Sequence, residues 1–336
     1  MSSNNPMNSI AIIYHDADFD GKLSNEVCRY WLNQLHPNAA IHSYGWDYGR
    51  QLPEPLPHLP GYPDERERFW EDYDAIYIVD LSVDELMAQP ELRDKIVWID
   101  HHKSAIEKWD EKFDCKDPFD RPFTGYRIDG VAACRLCWQW FIKVERDFET
   151  VPTKADFINR LVDEPTLIRL AGEYDVWDHR DPDGKALQFG LRVLDKEDFD
   201  SLVHYQFACG PQETVDAIYL SPVIEIGSNI KLYVDKQAYE HSAVCAHTIQ
   251  WEGLTFCALN IGQPGNSDLL RGGIKPEHDA CFAWRWTGCW VLVSLYHAPG
   301  HEHHDLSKIA MKYGGGGHKG ACGFRITLEE LAKILN

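Results

Sequence analysis

The sequence predicts an α/β protein, with a parallel sheet in its first half and a smaller, separate α/β unit at its end. Three observations carry this expectation. Apolar runs that read as buried strands alternate with helical stretches through the first half. Three of those runs end abruptly in acidic or imidazole side chains: Ile10–Tyr14 runs into His15-Asp16-Ala17-Asp18-Phe19-Asp20-Gly21, Ala75–Val79 into Asp80, and Ile96–Ile99 into Asp100-His101-His102. Beyond residue 246 the pattern changes, with strand-like runs at Leu254–Asn260, Ala280–Trp286 and Trp290–Tyr296.

In chain order, the first strand is Ile10–Tyr14 and the first helix Lys22–Leu35, followed by a strand at Ile41–Tyr44. Residues Arg50–Asp64 hold Pro53, Pro55, Pro57, Pro60 and Pro63, which predicts an irregular surface excursion. The strand Ala75–Val79, a helical stretch Val83–Met87, the strand Ile96–Ile99 and a helix at Val131–Val144 come next. A helical stretch at Lys154–Ala171 leads into Gly172-Glu173-Tyr174-Asp175-Val176-Trp177-Asp178. From Asp195 to about Thr248 the pattern is helical without a clear strand. The closing part adds a helix at Leu306–Met311, the run Gly314-Gly315-Gly316-Gly317-His318, a strand, and a helix at Leu328–Leu335. The expected division is a first domain over 1–195, a helical connector over 196–245 and a second, smaller domain over 246–336.

Composition narrows the function classes. The 336 residues favour two domains, and 44% apolar content suffices for two cores. Thirty-three basic against fifty-three acidic residues leave a net charge of −20, which argues against long nucleic acid, duplex or otherwise. A short phosphate-bearing substrate stays compatible, because bound metal reverses the charge of a site locally. The start, Met1–Ser9, does not read as a leader, and no 18-residue apolar run occurs. The expectation is a soluble cytoplasmic protein with no membrane partner. Ten scattered cysteines, with Cys28, Cys134 and Cys137 in apolar helical patterns, read as reduced thiols.

The chemistry follows from what the strands deliver. In an open parallel sheet the carboxyl ends line one crevice where ligands bind. Hard oxygen and imidazole donors converging there suit a pair of divalent ions. Asp18 and Asp20 face one cation if Gly21 tightens the turn, with His15 and Asp16 beside them; the plain alternative is an acidic turn capping the helix near Lys22. Asp80 is either a ligand or the cap of Val83–Met87. Asp100-His101-His102 points to metal or phosphate, since paired imidazoles are poor core residues. Asp175, near Asp178, His179 and Asp181, is a ligand or part of a solvated loop. The glycines before His318 let backbone N–H groups approach an anion. Cys134-Arg135-Leu136-Cys137 has ligand spacing without a second pair and reads as core. His301, His303 and His304, with Asp305, bind a third metal, contact substrate or form an exposed loop.

With these residues in view, the chain resembles the DHH/DHHA1 phosphoesterases, a superfamily named for the Asp100-His101-His102 triplet. Its motifs correspond to His15…Asp18-Phe19-Asp20-Gly21, Asp80, Asp100-His101-His102, Asp175 within Glu173–Trp177, and Gly314–Gly317-His318 through Gly323-Phe324. The Asp-x-Asp-Gly and Tyr-Asp-Val-Trp forms look closest to the NrnB-type nano-RNases of the RecJ-like superfamily. The resemblance implies a Rossmann-like domain and a smaller α/β domain with the active site in the cleft between them. It implies two Mn2+ ions about 3.5–4 Å apart, Mg2+ and Co2+ sharing the same donor preferences. His15, Asp18 and Asp80 would hold one ion; Asp20, Asp80, His101 and Asp175 the other. Asp100 would orient His101, while His102, Gly315, Gly316, Gly317 and His318 would contact substrate phosphate.

Asp80, Asp100, His101 and His102 are the catalytic candidates, and the implied activity is 3′–5′ exonuclease-type phosphodiester hydrolysis by a hydroxide bridging two metals. Short oligonucleotides or linear or cyclic dinucleotides would be cut to nucleoside monophosphates. The competing expectations are a pyrophosphatase or polyphosphatase and a non-catalytic nucleotide sensor. The stretch Ser294-Leu295-Tyr296-His297, followed by His301–Asp305, lacks the arginine many relatives carry there, and this bears on substrate preference. Asp16 is the alternative to His15. Oligomeric state stays open, a homodimer among the options.

Overall fold

Every residue of the strand Ala75–Val79 is buried, as a parallel sheet covered on both faces requires. The computed structural model describes residues 7–55, 69–115, 123–144, 151–208, 210–262 and 267–335. Residues 56–64 of the proline-rich stretch and residues 1–6 lie outside the described set. The chain divides into two compact units, Met1–Ser228 and Asn229–Asn336.

The first unit runs β1 (Ser9–His15), α1 (Phe19–Leu35), β2 (Ala40–Trp46), β3 (Ala75–Val79), α2 (Asp84–Met87), β4 (Ile96–Ile99) and α3 (Lys103–Lys112). Its sheet has the order β2-β1-β3-β4, all parallel, with Ile10 level with both Ile41 and Ala75. Side chains two apart share a face, so each strand feeds two cores. Ile10, Ile12, Tyr77 and Val79 pack with Leu23, Val27 and Leu32 of α1. Ala11, Ile13, Ile76 and Ile78 pack on the opposite face with Leu86, Met87, Ile106 and Trp109. A helical run follows: α4 (Ala133–Gln139), α5 (Lys154–Ile158), α6 (Thr166–Asp175), α7 (Pro182–Leu191), α8 (Lys196–Ala208), α9 (Gln212–Val215) and α10 (Ser221–Cys245).

The differences from expectation have local causes. The helical stretch expected over Lys154–Ala171 is two helices, α5 and α6, with Arg160 at φ 55 and Pro165 ahead of the second. The helix α1 starts at Phe19 rather than Lys22, because the Asp18 carboxylate caps it. The strand His247–Trp251 ends the helical stretch and buries only Ile249, too little apolar signal to announce itself. Among the described residues no helix is long and apolar enough to cross a membrane.

The second unit holds a six-stranded sheet of β5 (His247–Trp251), β6 (Leu254–Asn260), β7 (Ala280–Trp286), β8 (Val291–His297), β9 (Gly316–His318) and β10 (Ala321–Ile326), in the order β5-β6-β7-β8-β10-β9. Only β6 and β7 pair in parallel. The helices α11 (Ser307–Lys312) and α12 (Leu328–Leu335) bring Leu306, Ile309, Leu331 and Ile334 onto Phe256, Phe282, Val293 and Phe324. The glycine run, expected to offer its N–H groups to an anion, is partly strand: Gly316–His318 pair with Ala321–Gly323. Gly315 must be glycine there, since an added Cβ would lie 2.1 Å from the Gly323 carbonyl oxygen.

Candidate metal centre

The strand order places β1 between β2 and β3, so the chain leaves β1 toward one neighbour and crosses back to the other. Parallel sheets open a crevice at such a reversal, at the carboxyl ends of the strands. His15 ends β1, Asp80 follows β3, and Asp100-His101-His102 follows β4.

Asp80 is the pivot. Its side chain is 2% exposed and its backbone lies at φ 63, a left-handed conformation that costs a non-glycine residue on the order of 1 kcal/mol or more. Its N–H donates to the Ile99 carbonyl at 2.9 Å, which pins the turn. Neither carboxylate oxygen accepts an aligned hydrogen bond. One oxygen lies 3.5 Å from His15 Nδ1, the other 3.2 Å from His101 Nε2 and 3.9 Å from His102 Nδ1. A buried carboxylate without partners is expensive unless a cation completes it. Asp80 has not become a helix cap; Val83 occupies that position.

Donor atoms gather on both sides of Asp80. His15, Asp18 and Asp80 form one group with ligand atoms within 4.8 Å of one another; Asp80, His101 and His102 form a second, and Asp20, His101 and Asp175 a third. Asp18 caps α1, accepting from the Gly21 N–H at 3.1 Å through one oxygen, and its other oxygen lies 3.4 Å from His15 Nδ1. Asp20 is clamped by the start of α4, accepting from Ala133 N–H at 2.8 Å and Cys134 N–H at 2.7 Å, with one oxygen still 3.5 Å from His101 Nε2. Asp175, at the end of α6, comes within 3.4 Å of the same nitrogen. Asp16, the alternative to His15, turns away to pair with Arg50 at 2.9 Å.

Two contacts depart from expectation. Asp100 does not reach the His101 ring; its oxygen accepts from His102 Nδ1 at 2.8 Å and from the N–H of His101 at 2.7 Å. The tight turn after β4 folds the carboxylate back over the second histidine. Sequence reasoning also missed Asp47, whose carboxylate sits 3.2 Å from His15 Nε2. The signal was present: Asp47 follows the end of β2 just as Asp80 follows β3.

No family profile matches the chain and no curated protein matches its sequence. Solved structures do. A DHH-domain structure from a member of the s1p family of ribosomal proteins superposes with a TM-score of 0.54 at 13% identity, covering 98% of this chain and 85% of that one. The chain has the fold of a DHH-domain protein. Lower scores relate it to the pGpG-specific phosphodiesterase PggH from Vibrio cholerae (TM-score 0.48, 13% identity, 97% and 96% of the two chains). The exonuclease RecJ bound to manganese gives 0.45 at 12% identity, over 98% and 88%.

Burial and close opposite or like charges shift the titration of the clustered side chains. Asp18 and Asp80 raise His15 to about 11. Burial opposes charge on His101, yet Asp80 and Asp20 carry it to about 10. Burial, then the Asp20 charge, pushes Asp175 up to about 7, and burial with the Asp80 charge pushes Asp20 up as well. The Asp100 contact raises His102.

Other expected residues are placed as follows. Asp178 pairs with Arg180, while Asp181 pairs with Arg169 and caps α7, so neither joins the cluster. Cys134 and Cys137 are buried in the core, as expected, and the nine described cysteines are free. His318 and Gly316 are exposed on β9, the outer strand of the second sheet. Beside Asp18 opens a cavity of about 530 Å3, lined among others by Phe19, Lys22, Gln188, Arg192 and Lys196.

Proposed function

We propose that this chain is a cytoplasmic phosphodiesterase that uses two divalent ions, Mn2+ in the first instance, to cut short oligonucleotides or dinucleotides into nucleoside monophosphates. One observation carries the reading: Asp80, buried, left-handed and without an aligned hydrogen bond, faces two adjoining groups of imidazole and carboxylate donors. Its orphaned oxygens and the donor chemistry fit a pair of hard or borderline cations. His15, Asp18 and Asp80 would hold one; Asp20, Asp80, His101 and Asp175 the other. When bound, such ions supply an activated water and neutralise charge on a phosphodiester.

The chain's own groups do the rest. Asp47 accepts a hydrogen bond from the Nε2–H of His15 and leaves Nδ1 toward Asp18 and Asp80. The N–H groups of Ala133 and Cys134 hold Asp20 in place. Asp100 holds His102 by Nδ1 and favours its cationic form, so Nε2 can donate to a phosphate oxygen. The cavity beside Asp18 has an aromatic wall in Tyr14, Phe19 and Phe199 and carries Lys22 and Arg192 among the carboxylates of Glu26, Asp195 and Asp200; it would take one nucleoside with its base against the rings. Gly315, Gly316, Gly317 and His318 of the second unit are further candidates for a phosphate contact.

The test is a panel of labelled dinucleotides, cyclic dinucleotides and pyrophosphate with Mn2+, Mg2+ or Co2+. Release of nucleoside 5′-monophosphates from a dinucleotide supports the proposal. An intact dinucleotide beside cleaved pyrophosphate overturns it.

A further inference from the structure

The second unit carries another set of metal donors, far from Asp80 in sequence. Asp279 precedes β7, and His301 and His304 lie on the turn after β8. Asp279 Oδ1 lies 3.3 Å from His301 Nδ1 and 3.8 Å from His304 Nε2, and the three donor atoms fall within 4.8 Å of one another. Two donors bound to one tetrahedral zinc-type ion at about 2.0–2.2 Å stand about 3.3–3.6 Å apart. Both Asp279–imidazole distances lie near that spacing.

The groups are held there by the fold. Asp279 divides its carboxylate: one oxygen accepts from the Thr255 N–H at 2.8 Å, which leaves the other facing the imidazoles. Its carbonyl accepts from Ala298 N–H at 3.3 Å, tying the base of the histidine turn to the sheet. The turn is closed by His301 N–H on the Ala298 carbonyl at 3.1 Å and by Gly300 at φ 85. His297 Nε2 donates to the His304 carbonyl at 2.7 Å, which fixes the backbone that carries the second imidazole. A simple ion pair would align an N–H with the carboxylate. Instead His301 Nδ1 is sealed from solvent and has no aligned hydrogen-bond partner.

We infer that Asp279, His301 and His304 form a further metal site for a borderline divalent transition ion, with Zn2+ as the type case. Two imidazoles and one carboxylate, with no thiolate, favour zinc, nickel or cobalt over magnesium. Three protein donors leave a coordination position open for water or an anionic oxygen. The site adjoins the glycine hairpin: His297 donates its N–H to the Gly320 carbonyl at 3.2 Å, and the Leu306 N–H donates to the Lys319 carbonyl at 3.0 Å. An ion here would brace the segment leading to His318. The inference does not depend on phosphodiester hydrolysis.

The experiment measures Zn2+ bound per chain on untagged, full-length protein after dialysis against limiting Zn2+, with Co2+ absorption as a second readout. The wild type is compared with His301→Gln/His304→Gln, with Asp279→Asn and with Asp18→Asn/Asp80→Asn. The site predicts one ion fewer in the first variant, at least about tenfold weaker binding in the second, and retention of this ion in the third. Circular dichroism establishes that each variant is folded, and Asp279→Asn keeps an oxygen for Thr255 should the double histidine variant fail to fold. Equal Zn2+ content in wild type and both second-unit variants would overturn the inference, as would loss of all bound Zn2+ in Asp18→Asn/Asp80→Asn.

Discussion

His15 touches Asp47 through one ring nitrogen, at 3.2 Å, and presents the other to Asp18 and Asp80 at 3.4 and 3.5 Å. A carboxylate behind an imidazole fixes its tautomer and raises its basicity as a ligand, and losing such a partner typically costs about 10–100-fold in metal affinity. Asp47→Asn should therefore weaken Mn2+ binding by that factor while leaving the melting temperature of the metal-free protein within a few degrees. Calorimetric titration with Mn2+ checks it, and an unchanged dissociation constant would remove Asp47 from the account.

Asp80 faces donors on both sides, so one substitution disables both proposed ion positions. Asparagine tolerates the left-handed backbone that Asp80 adopts. Asp80→Asn is expected to fold, and to lose turnover of a dinucleotide by roughly 10³-fold or more, several kcal/mol of transition-state stabilisation. Activity near wild type in a folded variant would separate the cluster from catalysis.

The raised acidities give a pH signature to the metal-free protein. Asp175 moves from 3.8 to about 7, so the folded chain keeps a proton that the unfolded chain has lost between those values. His15 and His101 move from 6.5 to about 11 and about 10, with the same sign at higher pH. Stability of the metal-free protein from these groups is therefore fullest at low pH and declines as pH rises. Metal binding needs the deprotonated ligands and displaces the protons. The rise in melting temperature on adding Mn2+ should be larger at pH 8 than at pH 5.5; a rise that is equal or larger at the acid end contradicts this.

The glycine hairpin predicts a purely steric outcome. At Gly315 a methyl group would meet the Gly323 carbonyl and the Phe324 side chain at 2.1 and 2.5 Å. Gly315→Ala should destabilise the second unit by about 1–3 kcal/mol, read as a lower urea midpoint. Gly316→Ala, where nothing lies within 4 Å, should leave the midpoint unchanged and serves as the control.

Much of this was legible in the sequence because a covered parallel sheet writes itself plainly. Ala75–Val79 and Ile96–Ile99 are unbroken apolar runs, and the acidic or imidazole residues that end them are the ones the fold brings together. The grouping of His15, Asp18, Asp20, Asp80 and His101 follows from that rule plus parallel order, whereas Asp175 ends a helix and joins them only through the packing of α6. What escaped was set by contacts rather than pattern. Asp47 follows a strand with only two buried residues, His42 and Tyr44, so its terminus did not stand out. The ring that Asp100 holds depends on the turn after β4, which side-chain order alone does not fix. The strand at Gly316–His318 has no apolar side chains and exists because β10 lies beside it. Asp279 sits more than twenty residues from the histidines it faces, joined to them only through the pairing of β7 and β8.

The most direct test of the central claim is anomalous diffraction at the manganese edge from crystals of the protein grown with Mn2+. The account predicts two peaks flanking Asp80, one among His15, Asp18 and Asp80 and one among Asp20, His101 and Asp175. No peak at Asp80, or ions bound only elsewhere on the chain, would contradict it.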